Sequence, residues 1–204
     1  MKIYTSLFPP IKGEIGPKTE VNESKCKTCN SLLESNFYKK IEYVFDDWNG
    51  EDLVKGIGCY LVSDRLKRIL EDKKLKGISF KEIIVTKGDY FKFKSKAYQE
   101  EIPSFFEIVI VGTSKGPDTW FKKGDICNEC NKPSWAISTE GIKAMVKSQD
   151  NQDVIPRQVY RDSWNNEDAF KLEDPADPIF TENFINVLKE SKVKDVTYKE
   201  AQWV

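Results

Sequence analysis

Four of the cysteines fall into two pairs of one spacing, Cys26-Lys-Thr-Cys29 and Cys127-Asn-Glu-Cys130. Two thiolates separated by two residues can face one tetrahedral ion, and two such pairs complete a four-thiolate shell. A shell of that kind leaves no open coordination position, so it stabilises a fold and hydrolyses nothing. Each pair is followed by an asparagine, Asn30 or Asn131. After glycine, asparagine best tolerates the left-handed backbone on which a metal-binding knuckle turns. The expectation is one structural zinc per chain, held by Cys26, Cys29, Cys127 and Cys130. The competing uses of such cysteines are two redox pairs, disulfides, or reduced thiols with no metal. Neither pair has the strand-then-helix setting of a redox motif, and the N-terminus carries no export signal. Cys59, within Ile57-Gly-Cys-Tyr-Leu-Val62, reads as a small buried hydrophobe.

Other reactive groups are sparse. The chain has no histidine, which removes the usual general base near neutral pH, any Ser–His or Cys–His nucleophile pair, and the commonest ligand of catalytic zinc. The acidic pairs Glu51/Asp52 and Glu167/Asp168 could hold a hard cation or exchange protons. Their position just after a turn reads more simply as a solvated loop, so an enzyme is not expected.

The elements that must position the cysteines repeat along the chain. Residues Ser63 to Ile83 align without gaps on Thr181 to Ala201, and Trp48-Asn-Gly-Glu-Asp52 matches Trp164-Asn-Asn-Glu-Asp168 at every position but the third. Both copies run in the same order: knuckle, Trp-Asn turn, helix, strand. Ser63 and Thr181 are good N-caps, with Asp64 and Glu182 in the positive first turn. Leu66, Ile69 and Leu70, like Phe184, Val187 and Leu188, form one apolar stripe. Gly77 is expected to stop the first helix, with Asp195 in the same place in the second. Strands are expected at Lys2–Thr5, Lys40–Phe45, Ile78–Val85, Tyr90–Phe93 and Phe105–Val111, the last apolar enough to be central in a sheet. The fold class that follows is α+β: two related β-rich halves, residues 1–112 and 113–204, each with a capped helix, joined by a shared four-cysteine zinc site.

Composition sets the wider limits. The 204 residues, 39% apolar and with 12 Phe, 8 Tyr and 5 Trp, can bury a core without disulfides. A formal charge of -1 gives no global attraction to nucleic acid or anionic membrane. No apolar run approaches a membrane span, and the expected location is cytoplasmic. Locally, basic residues outnumber acidic ones from Leu61 to Tyr98 and the reverse holds from Asn151 to Phe180. A dipolar surface that docks a charged partner is one reading of this; solvated faces are the plainer one.

The two knuckles, the Trp-Asn-Gly-Glu-Asp turn and the Leu61-Val-Ser-Asp-Arg-Leu66 helix start resemble those of the bacterial double-CxxCG-motif proteins, relatives of immunity proteins found beside polymorphic or swarming-associated toxins. The likeness runs from about Cys26 to Val85 and resumes around Cys127 to Cys130. Asn30 and Asn131 stand where the family has glycine. The resemblance implies a small cytoplasmic protein that neutralises a cognate protein toxin by binding it. The alternative is a zinc-stabilised nucleic-acid-binding module, in which Lys92, Lys94 and Lys96 alternate with Phe91 and Phe93 along a strand.

Overall fold

The structure, a computed structural model, describes residues 1–34, 37–93, 101–146 and 155–204. Lys94 and Lys96 of the basic, aromatic stretch lie outside these residues. In chain order the first elements are β1 (Ile3–Phe8), β2 (Gly13–Ile15), β3 (Glu20–Val21), β4 (Tyr38–Lys40), β5 (Glu42–Trp48), β6 (Leu53–Gly56) and β7 (Cys59–Ser63). Then come α1 (Asp64–Asp72), β8 (Ile78–Glu82), β9 (Ile84–Phe93), β10 (Phe105–Ile110), β11 (Gly112–Thr113), β12 (Phe121–Ile126), β13 (Pro133–Ile137) and α2 (Thr139–Val146). The chain closes with β14 (Gln158–Val159), β15 (Ala169–Lys171), β16 (Ile179–Thr181), α3 (Glu182–Glu190) and β17 (Thr197–Trp203). The protein is α+β, rich in strands and poor in helix.

Two sheets carry the fold, and they are built alike. One runs β6-β7-β10-β8; within the other, four consecutive strands run β15-β16-β1-β17. All neighbours in both quartets are antiparallel. The registers also match. Phe105 of β10 faces Ser63, as Ile3 of β1 faces Thr181; Phe106 faces Glu82, as Tyr4 faces Glu200. The third strand of each sheet therefore comes from the other side of the sequence: β1 completes the sheet of residues 169–203, and β10 that of residues 53–82. The division at 112/113 separates most elements, but β1 crosses it.

Helices α1 and α3 begin in the same way. The hydroxyls of Ser63 and Thr181 accept from the N–H groups of Leu66 and Phe184. Both helices end before the positions expected from sequence. Helix α1 stops at Asp72, and Lys74, not Gly77, takes the left-handed turn, with Leu75 N–H donating to Leu70 O at 3.2 Å. Lys192 and the Val193-to-Leu188 bond at 3.0 Å repeat this in α3. The Schellman geometry needs a carbonyl three residues back from the helix end more than it needs a glycine. Gly77 and Asp195 are left-handed as well, but they turn the chain into the next strand. Gly77 has a further reason: a Cβ there would lie 1.9 Å from the Ala169 carbonyl oxygen.

The core explains why β7 and β16 are buried along their whole length. Between the two sheets, Leu66 and Leu70 of α1 and Phe184 and Leu188 of α3 pack with Val62, Ile108 and Phe180 in one shared cluster. On the other face of the first sheet Val54, Leu61 and Phe105 pack against Tyr43 and Phe45 of β5; Ile3, Phe170 and Val159 of the second sheet form a third cluster, joined by Trp164 and Trp203. Each large apolar side chain so enclosed contributes about 1.5–3 kcal/mol. Cys59 belongs to the second cluster, 6% exposed.

Candidate metal centre

The first knuckle lies between β3 and β4, narrowed by a bridge from Lys25 to Leu32. The second is the tip of the β12–β13 hairpin, where Ile126 pairs with Pro133. Both turn by the same local bonds. Asn30 N–H donates to Cys26 O and Cys26 N–H to Ser31 O, each at 2.9 Å; Asn131 N–H donates to Cys127 O at 2.9 Å and Cys127 N–H to Lys132 O at 3.0 Å. Asn30 (φ 60°) and Asn131 (φ 56°) hold the left-handed conformation that closes each turn.

These turns bring the four sulfurs together: all lie within 4.8 Å of one another. Cys26 Sγ is 3.8 Å from Cys127 Sγ, and Cys29 Sγ is 3.5 Å from Cys130 Sγ. Metal–sulfur bonds of about 2.3 Å in a tetrahedron separate the sulfurs by roughly 3.8 Å, so the cluster is close enough to hold a metal ion. All four cysteines are free thiols, as is Cys59. Side chains tie the knuckles to each other. Thr28 Oγ1 donates to Glu129 Oε2 at 2.5 Å, and Lys132 Nζ donates to the carbonyls of Leu32 and Leu33 at 2.6 and 3.1 Å.

The electrostatics suit a cation. The Ser31 hydroxyl and N–H bring Cys29 down to about 6. The N–H of Cys29 favours the Cys26 thiolate, but burial and the neighbouring thiols outweigh it and push Cys26 up to about 12. Cys130 is raised as well, although the Lys132 N–H favours its thiolate. Burial and the neighbouring thiols disfavour the Cys26 thiolate, a cost that a divalent ion among the four sulfurs would offset. Cys26 is buried at 3% exposure, whereas Cys29 reaches solvent.

The acidic pairs behave differently from solvated loops. Trp48 Nε1 donates to Glu51 O at 3.1 Å, and Trp164 Nε1 donates to Glu167 O at 2.9 Å, so each ring staples its own turn. Asp52 accepts from the capping Ser63 at 2.5 Å and pairs with Arg65. Asp168 accepts from Thr181 at 3.1 Å and from Asn183 at 2.9 Å. Glu51 is buried against Lys12 at 2.6 Å, and Glu167 accepts the Thr113 N–H at 3.1 Å. Sequence reasoning missed these roles because the partners lie across tertiary contacts, not beside the carboxylates in the chain.

Among the described residues no helix is long and apolar enough to cross a membrane. Comparison with protein-family models and with curated proteins finds no match to the chain.

Proposed function

We infer that this is a non-enzymatic binding protein of the toxin-neutralising, immunity type, held by one structural zinc and acting in the cytoplasm through protein–protein contact. The observation that carries the structural part is the convergence of four sulfurs from two distant stretches within 4.8 Å. Zinc is the ion that best fits a closed four-thiolate shell. The two halves are read as an internal duplication with twofold character, supported by the matched strand order and register of the two sheets. The binding role rests on the double-CxxCG resemblance, and on the way the acidic pairs are used for caps and turns.

The nucleic-acid alternative has less support. Phe91 and Phe93 turn into the second core cluster, where Lys87 lies over both rings at 5.5 and 5.3 Å, so neither offers a free stacking face. The test is to purify the protein with the polypeptide encoded beside its gene. A stable complex and protection of cells from that polypeptide are expected; no binding and no protection would remove the immunity reading.

A further inference from the structure

Where the two sheets meet, the strand exchange gathers three lysines that form no ion pair. Phe8, at the end of β1, lies beneath Lys55 Nζ of β6 at 5.3 Å and Lys199 Nζ of β17 at 5.8 Å. Lys55 also lines a slot of about 80 Å³, as does Lys171 of β15. Among the described residues Lys55, Lys171 and Lys199 form no ion pair, whereas Lys81, the remaining lysine in the strands of the two sheets, donates to Tyr38 O at 2.9 Å. Two carboxylates share the slot: Asp177 accepts from Ser6 Oγ at 2.7 Å, and the buried Glu107, which Lys171 influences electrostatically, has one oxygen without a hydrogen-bond partner.

Apolar groups border the same cations. Lys55 N–H bonds Pro10 O at 3.0 Å, which sets the segment with Ile11 beside the β6–β7 hairpin. Ile11 is 72% exposed and Ile57, at the hairpin tip, 75%. Gly58 next to it is left-handed, with open space around its would-be Cβ. Two large aliphatic side chains this exposed, flanking Lys55, are suited to contact with a partner's apolar group.

We propose that this seam, centred on Phe8, Lys55 and Ile57, is the docking surface for an acidic protein partner that sets carboxylates against Lys55, Lys171 and Lys199 and an apolar side chain against Ile11 and Ile57. Charge complementarity selects an acidic partner. The aliphatic border selects protein over nucleic acid, which would call for a longer cationic track and stacking rings. The proposal rests on the binding reading above and names its surface.

The test uses the isotopically labelled, metal-loaded full chain and a 15-residue peptide of alternating Glu and Leu. Saturable, salt-sensitive shifts at Lys55, Ile57, Gly58, Lys171 and Lys199 are expected, with affinity reduced about tenfold in a K55E/K199E variant and in Ile57→Ser. Unchanged circular-dichroism melts would establish that both variants fold. Shifts elsewhere, equal or tighter binding of a 20-nucleotide single-stranded DNA at these residues, or concentration-dependent self-association through them would each overturn it. The polypeptide encoded beside the gene separates the two readings. Binding that K55E/K199E leaves unchanged would sink this surface alone; no binding of that polypeptide, with the peptide shifts intact, would sink the immunity reading alone.

Discussion

Ile3 stands directly opposite Thr181 in the second sheet, so the residue that caps α3 is fixed by a strand from the far end of the chain. Phe105 holds the same place opposite Ser63. The halves are thus interlocked through main-chain pairing, quite apart from the cysteine cluster.

A cut in the chain should therefore not release two pieces. With a protease site placed between Phe93 and Glu101, the cleaved protein is expected to elute as a single particle in size-exclusion chromatography, with and without chelator. Separation into two peaks on cleavage would contradict the interlock. Chelation alone should remove one zinc per chain, measured by elemental analysis, and lower the melting temperature while the particle stays whole.

The knuckle asparagines give a second expectation. Asn30→Ala or Asn131→Ala keeps a β-carbon in left-handed backbone but removes the short polar side chain that makes this conformation tolerable, at about 1 kcal/mol each. Asn30→Gly should cost nothing. Metal competition with a chromophoric chelator would show weaker zinc retention for the alanine variants only.

Caps offer a matched pair. Ser63→Ala and Thr181→Ala each remove an acceptor for a helix N–H and should cost about 1 kcal/mol in urea unfolding. Trp48→Phe deprives the Glu51 carbonyl of its donor inside the core, an expected loss of about 1–3 kcal/mol. Trp164→Phe, at a less buried ring, should cost less.

Glu107 and Glu42 should respond to pH with opposite signs. Burial holds the Glu107 carboxyl above the ordinary carboxylate range, with Lys81 and Lys171 pulling the other way. As pH rises past the unfolded value, the unfolded chain loses this proton first, so stability falls until the raised value is passed. Glu107→Gln should match the parent at low pH and exceed it at neutrality. Glu42 is lowered by the Lys18 N–H and then by the Thr86 hydroxyl. Its contribution is present above the ordinary carboxylate range and is lost as pH falls, so Glu42→Gln should be weaker at neutral pH and converge with the parent in acid. Urea midpoints across this range would read both.

Much of the local structure could be read from residues alone. Paired cysteines followed by asparagine, a hydroxyl before each apolar stripe, and an indole at the head of each Asn-x-Glu-Asp segment are short-range signals, and they mark knuckles, caps and turns. The apolar run Phe105–Val111 gave away a central strand, β10, whose two faces are both largely buried; it stops at Ile110, and Val111 is exposed. What could not be read was long-range. Nothing in Ile3–Phe8 says that its partners are β16 and β17, since pairing depends on which surfaces survive after the helices pack. The β12–β13 hairpin that carries the second knuckle was also hidden. Phe121 is its one buried residue in β12, too few apolar positions for a period to show.

The exchanged strand also has a history in time. Of the strands described, β1 is synthesised first, yet its neighbours are among the last to be made. At about 5–20 residues per second, the segment Ile3–Phe8 waits roughly 10–40 seconds for a place in a sheet, while β10 joins strands already made. The nascent chain therefore carries an unpaired apolar strand while residues 9–178 are made, and the second sheet closes only when Ile3–Phe8 meets Ile179–Thr181 and Thr197–Trp203.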